Sequence, residues 1–270
     1  MSQLFGYLCS DQSLTAAVME QYGAPMQADP QRERTALGIG WLQDGRSLLR
    51  KHPRRRAATI EIPDLLSDVP TRALVGHVRH RDQGKADPRS LQPFRFRTWV
   101  FAQRGDLPLV EEDLRELRGS IPDHIARNIQ GTSTAELIFH LVYAAVEGEY
   151  STTPEHRFTE LYVEKLREVV DKVEWRLKDR ESTSWQLIAV TERFLAALSI
   201  GESLSYRMVE GIEIATEKPL FAGHRPKRIN HDKFRALMVS SGVDHEEWKT
   251  TPERGVLWVD GSWEPQVSEL

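Results

Sequence analysis

The chain has 270 residues, of which 40% are hydrophobic and 28% are charged. This length and composition allow a sizeable core without disulfides or metals and argue against global disorder. The formal net charge of −4 provides no overall basic field for nucleic acid or an anionic membrane. No apolar run approaches the roughly 18–20 residues of a spanning helix, and the N-terminus lacks the features of a secretory signal. We therefore expect a cytoplasmic globular protein of the α/β or α+β class.

The first part of the chain alternates short apolar runs with turn signals, a pattern typical of antiparallel strands. The sequence Gln43-Asp44-Gly45 between two of these runs is a hairpin signal. We predict strands over residues 4–9, 37–42, 47–51, 73–78 and 97–102.

The middle of the chain favours helices, and the last third returns to strand-like runs. Ser133 is a candidate N-cap, with Glu136 as its capping-box partner three residues later. We predict helices over residues 110–118, 133–147, 158–178 and 185–198, then strands over 203–208, 236–240 and 255–259. This order of elements predicts one α+β domain in which helix layers cover the sheets.

Two side chains near the N-terminus are candidate nucleophiles. Removal of Met1 would leave the hydroxyl of Ser2 beside a free α-amine, and an α-amine with a pKa of about 8 can serve as the base for that hydroxyl. A small second residue is common, so its position alone carries little weight. Cys9, the single cysteine, lies in an apolar run where a thiol is usually inert, and it excludes an internal disulfide.

Basic residues cluster at 50–56 and recur between positions 77 and 97. They would form an anion site if they converged on one face, whereas a solvated loop is the simpler interpretation at this net charge. His77 and His80 lack the helical spacing and carboxylate partner of a usual metal site. The pair Gly38 and Gly40 lacks the third glycine of a dinucleotide fingerprint. We predict no metal and no organic cofactor.

Several of these runs, in this order, resemble the class II glutamine amidotransferases, members of the N-terminal nucleophile (Ntn) hydrolase superfamily. The likeness is strongest to their small stand-alone branch of gamma-glutamyl amidohydrolases. It is carried by residues 1–7, 36–41, 77–79, 92–94, 99–105 and 133–139, and more weakly by 240–259. The resemblance implies a four-layer αββα sandwich and a single domain over residues 1–270.

The resemblance also implies a role for each matching position in the reaction centre. Ser2 occupies the place of the family's cysteine nucleophile, whose own α-amine is the base. Gly105 matches the glycine whose N–H forms part of the oxyanion hole, while Arg104 replaces the asparagine that supplies the second donor. Loss of one oxyanion donor typically costs about 10²–10³ in turnover.

The implied glutamine-binding positions differ as well. Arg79 matches the arginine that holds the substrate α-carboxylate, but Asp82 replaces a threonine and would repel that carboxylate. Thr134 replaces the aspartate that holds the substrate α-ammonium, so the complementary charge is lost.

We therefore expect a pseudoenzyme that acts as a binding or regulatory module. Its partner would be a small anionic molecule or another protein, with no membrane contact. The alternative is an active N-terminal serine amidohydrolase that cleaves a glutamine-like or gamma-glutamyl amide with Ser2 as nucleophile. A structural subunit or a nucleic-acid factor that uses the arginine cluster is a third possibility, and the net charge argues against a strong polyanion binder.

Overall fold

A computed structural model describes residues 2–22, 35–55, 69–80, 88–150, 155–178, 184–215 and 228–270. The described strands are β1 (Gln3–Cys9), β2 (Thr35–Gln43), β3 (Arg46–Arg55), β4 (Ala73–His80), β5 (Phe94–Phe96), β6 (Trp99–Arg104), β7 (Trp185–Val190), β8 (Leu195–Ile200), β9 (Ser205–Glu210), β10 (Glu213–Ala215), β11 (Arg228–Asn230), β12 (Arg235–Ser240), β13 (Lys249–Thr250), β14 (Arg254–Val259) and β15 (Gln266–Glu269). The helices are α1 (Thr15–Tyr22), α2 (Glu111–Gly119), α3 (Asp123–Ala126), α4 (Thr134–Tyr150) and α5 (Glu155–Leu177), with 3₁₀ turns at Gln12–Leu14 and Pro88–Ser90.

The described strands form two large sheets and one small ribbon. The seven-stranded sheet has the order β13-β9-β12-β1-β4-β2-β3, and the six-stranded sheet has the order β15-β14-β8-β7-β6-β5. Strands β10 and β11 form the ribbon. All of these pairings are antiparallel, so the fold is α+β, as the run of turns and short apolar segments predicts.

The two large sheets pack against each other through an apolar core. Successive residues of a strand point to opposite faces, so Val100 and Ala102 of β6 enter this core while Phe101 faces the helices. The core between the sheets includes Leu4, Leu8, Val75, Val100, Ala102, Ile188, Val190, Ala197, Leu237, Val239 and Leu257.

Helices pack against each of the two large sheets. On the six-stranded sheet, α4 and α5 contribute Ile138, Phe139 and Tyr162 to a core that they share with Phe101. On the seven-stranded sheet, α1 packs Val18 and Met19 against the outward side chains of β1, β2 and β12. Both α4 and α5 confirm the helices that the apolar spacing predicts in this region. No helix in the described residues is long and apolar enough to span a membrane.

The prediction of a helix over residues 185–198 is wrong. This segment forms β7 and β8, and every side chain of both strands is buried. A strand covered on both faces has no polar alternation, so a continuous apolar run cannot be distinguished from a buried helix by its period. The turn between them at residues 191–194 is held by the Thr191 hydroxyl, which accepts hydrogen bonds from the N–H groups of Arg193 and Phe194.

Gly38 of β2 allows the chain to pass close to the segment before β5. A Cβ atom at this position would lie 1.9 Å from the carbonyl oxygen of Gln92. We predict that Gly38→Ala lowers the free energy of unfolding by about 1–3 kcal/mol, because the backbone must move to relieve the overlap. Urea titration checks this value. The control is Gly119→Ala at the end of α2, where a Cβ meets no heavy atom within 4 Å and no loss is expected.

His140 of α4 predicts a pH dependence of stability. Its Nδ1 donates to the carbonyl oxygen of Glu136 at 2.8 Å, whereas its buried Nε2 has no hydrogen-bond partner among the described residues. Burial lowers the pKa of His140. Below about pH 6.5 the unfolded chain therefore binds a proton at this histidine more readily than the folded chain does. The free energy of unfolding therefore falls as the pH drops through this range, and it is unaffected by His140 above it.

The substitution His140→Leu should make this loss of stability shallower between about pH 7 and pH 5, because it removes the proton uptake. Urea titrations at several pH values provide the measurement. Parallel profiles for the variant and the parent chain would contradict the role of His140.

Candidate functional site

A cleft of about 480 Å³ opens where the start of β1, the ends of β4 and β6 and the start of α4 meet. Of the six residues that the sequence singles out for the site, the structure places five along this cleft: Ser2, Arg79, Arg104, Gly105 and Thr134. The sixth, Asp82, lies outside the described residues. Four distant parts of the chain therefore contribute residues to one polar cavity.

The position of Ser2 follows from the pairing of β1. This strand lies between β4 and β12, and its register places Gln3 opposite Val78, so Ser2 lies at the level of Arg79. The N–H of Leu4 donates to the hydroxyl of Ser241 at 2.8 Å, and the N–H of Ser241 donates to the Leu4 carbonyl at 3.1 Å. The first strand is thus anchored on both sides directly after Ser2.

Two hydrogen bonds between the side chain of Gln92 and the backbone of Gln103 hold the end of β6. The side-chain amide of Gln92 donates to the Gln103 carbonyl at 2.8 Å, and its side-chain oxygen accepts from the Gln103 N–H at 2.5 Å. The Gln92 side chain thus makes the pair of hydrogen bonds that a neighbouring strand would make. Both glutamines line the cleft. Their two hydrogen bonds fix the end of β6, from which the chain continues to Arg104 and Gly105.

Gly105 cannot be replaced without moving the chain. Its φ of +93° belongs to the region that favours glycine. A Cβ would also lie 2.2 Å from the carbonyl oxygen of Ser184 and 2.8 Å from Cα of Trp185. This close approach holds the turn after β6 against the start of β7, where both neighbours line the cleft.

Arg104 contacts two side chains at the edge of the cleft. Its Nη1 lies 3.1 Å from the side-chain oxygen of Gln186, its cross-strand neighbour in β7, and 3.1 Å from Oε1 of Glu202. Gln186 is itself held, because its amide donates to the carbonyls of Glu202 at 2.8 Å and Ser203 at 3.0 Å. The guanidinium is therefore fixed at one corner, and a carboxylate compensates its charge.

Thr134 begins α4 and is positioned by the carboxylate of Glu136. That buried carboxylate accepts the N–H groups of Gln130 at 2.9 Å and Gly131 at 2.8 Å, so it holds the loop before the helix. The capping-box prediction is therefore correct about the helix start but wrong about the partner, because the Glu136 side chain reaches beyond Ser133 to residues 130 and 131.

Of the other sequence candidates, His77 lines the cleft and Cys9 does not. Cys9 is buried in the core with Thr15 and Thr71, and burial raises the pKa of its thiol, in agreement with an inert side chain. Residues 50–55 of the basic run lie in β3 and not in a loop, and the side chains of this run beyond His52 lie outside the described part of the chain. Among the described residues no group of three or more histidine, cysteine, aspartate and glutamate side chains could hold a metal.

Sequence reasoning missed Gln186 and Glu202. Neither lies in a motif, and both were assigned to or near a predicted helix that the structure replaces with β7, β8 and the loop that follows. The one indication in the sequence was Arg104 itself, because a buried guanidinium needs hydrogen-bond acceptors. At 13% side-chain exposure Arg104 meets this condition, but the sequence does not show which residues supply them.

Comparisons with known proteins find similarity in structure but not in sequence. No family model matches the chain, and no curated protein matches it in sequence. Among solved structures, a glutamine aminotransferase class-II domain protein from Silicibacter pomeroyi has a TM-score of 0.61 at 12% identity, with 99% of both chains covered. A predicted glutamine amidotransferase from Pseudomonas aeruginosa has a TM-score of 0.56 at 12% identity, with 99% of this chain and 96% of that chain covered.

A longer enzyme shows the same likeness over part of its length. The glutamine phosphoribosylpyrophosphate amidotransferase from B. subtilis has a TM-score of 0.51 at 15% identity, and the match covers 99% of this chain but 49% of that one. At these identities the comparisons speak for architecture and not for activity. The chain has the fold of class II glutamine amidotransferase domains.

Proposed function

We propose that the chain is a class II glutamine amidotransferase-like protein without glutaminase activity, which uses its cleft to bind a small molecule or a partner protein. The proposal includes a single domain over residues 1–270, a four-layer αββα sandwich, kinship to the stand-alone gamma-glutamyl amidohydrolase branch, and action in the cytoplasm. The shared fold supports it, as does the presence of Ser2, Arg79, Arg104, Gly105 and Thr134 along one cleft.

The observation that carries the proposal is the contact between Arg104 and Glu202 at 3.1 Å. The resemblance implies an uncharged amide donor at position 104, directed at the oxygen on which negative charge develops. Here the donor is a guanidinium that already has a carboxylate beside it. An oxyanion is stabilised by donors whose positive charge is not already neutralised by a neighbouring anion. The Glu202 carboxylate therefore opposes the negative charge that amide cleavage would create.

The positions of the nucleophile and of the ammonium partner support the same conclusion. A serine hydroxyl is far harder to deprotonate than a cysteine thiol, so Ser2 needs a well-placed base. Thr134 offers a hydroxyl where the resemblance implies a carboxylate for the substrate ammonium. The nucleophile, the oxyanion donor and the ammonium partner are thus all weakened. All three losses act on the same transition state of glutamine hydrolysis.

One arrangement favours the alternative of an active serine amidohydrolase. Ser2 and Gly105 line the same cleft, so the nucleophile and one oxyanion donor implied by the resemblance are available together. This function requires removal of Met1, since only then is the α-amine of Ser2 free to act as base.

We predict no hydrolysis of L-glutamine or of a gamma-glutamyl anilide above the rate of the Ser2→Ala variant. Release of ammonia and of the aniline provides the measurement, and intact mass of the natively expressed chain reports whether Met1 is removed. Turnover by the parent chain that disappears in Ser2→Ala would establish the alternative function.

The variant Ser2→Cys serves as the matched control for the nucleophile. A thiolate forms far more readily than an alkoxide, so an intact reaction centre that lacked only its nucleophile would gain activity. We expect Ser2→Cys to remain as inactive as Ser2→Ala, because the Arg104–Glu202 pair is unchanged.

A further inference from the structure

Among the described residues, the guanidinium of Arg104 makes its contacts through one corner, Nη1. Both hydrogen-bond acceptors, Oε1 of Gln186 and Oε1 of Glu202, lie at 3.1 Å from Nη1. Gln186 is in turn tied to the backbone of residues 202 and 203. The planar group is therefore oriented by a support that is itself held in place.

The opposite edge of this guanidinium remains available. Within the described residues, Nε and Nη2 of Arg104 have no hydrogen-bond partner, and neither belongs to the buried polar atoms that lack one. Since Arg104 lines the cleft, we infer that these two donors face its open volume. Two parallel N–H donors on one edge match the two oxygens of a carboxylate or a phosphate.

The surroundings of this edge also suit an oxyanion. Arg79 brings a second guanidinium to the cleft, and the imidazole of His77 lines it as well. Among the described residues that line the cleft, the negative groups are Glu202, which is paired with Arg104, and Asp106. Hydroxyl groups that can donate to an oxyanion line the same cavity at Ser2, Ser90, Thr132, Ser133, Thr134 and Ser184.

We propose that Arg104 is a ligand-binding residue that holds the carboxylate or phosphate group of a small molecule through Nε and Nη2. Gln186 and Glu202 act as positioning residues, and the Glu202 carboxylate weakens the binding because it repels the anion. The cleft volume of about 480 Å³ is within the range of small-molecule sites. This inference rests on the proposed binding function and names the ligand class for that cleft.

Calorimetric titration with inorganic phosphate and with glutarate, at constant ionic strength, tests the proposal and shows which oxyanion is preferred. We expect Arg104→Gln to weaken binding of the preferred probe by about 10- to 100-fold, as for a lost charged hydrogen-bond pair. Arg104→Lys should weaken it by about 5- to 10-fold, because it keeps the charge and loses the two-donor edge.

The variant Glu202→Gln gives a change of opposite sign. It keeps an acceptor for Nη1 and removes the negative charge, so binding of the preferred probe should tighten about 5- to 10-fold. Arg118→Gln is the matched control, since this exposed arginine at the end of α2 lines a different surface depression. It should bind as the parent chain does. Thermal unfolding without probe verifies that each variant is folded. If Arg104→Gln does not fold, Arg104→Lys and Glu202→Gln together are enough to test the proposal.

Failure of this inference is distinct from failure of the proposed function. If the parent chain binds neither probe at about 10 mM, or if both Arg104 variants bind as it does, the oxyanion role is overturned and the chain remains a non-hydrolytic module. If the parent chain hydrolyses a gamma-glutamyl amide through Ser2, the proposed function is overturned whatever the titrations show.

Discussion

Burial of apolar side chains between the two large sheets is the constraint on which the rest of this structure depends. Leu4, Val100 and Ile188 come from three distant parts of the chain and meet in that core. Once they are packed there, the ends of β1, β4, β6 and β7 must lie near one another. The cleft forms at these ends, so its polar side chains are brought together by contacts in which they take no part.

Steric limits explain why some positions near the cleft have no freedom. Gly38 and Gly105 lie where a Cβ would overlap backbone atoms at 1.9 Å and 2.2 Å. Backbone atoms cannot move aside as readily as the end of a flexible side chain can, so any side chain at these positions requires the main chain to shift. Ser2 and Thr134, by contrast, face an open volume of about 480 Å³. No backbone overlap of this kind is recorded at these two positions.

The pair of Arg104 and Glu202 bears on the charge of the cleft more than on the stability of the fold. The Glu202 side chain is 44% exposed, and ion pairs with such exposure contribute about 0–1 kcal/mol. The same carboxylate, however, lies directly beside the guanidinium and compensates its field where a reacting oxygen or a bound anion would be. A contact that is minor for folding thus sets the local charge of the cleft.

The sequence by itself determined the elements whose period is clear and the residues that belong to a motif. Residues 4–9 and 73–78 lie in strands and 158–177 lie in a helix, as their apolar spacing predicts. The segment 185–198 did not follow its prediction, because burial of both faces of β7 and β8 removes the alternation that marks a strand. Only the tertiary structure decided that Gln186 and Glu202 hold Arg104, since those contacts join residues 82 positions apart or more, and no local pattern encodes which distant acceptor a buried guanidinium will find.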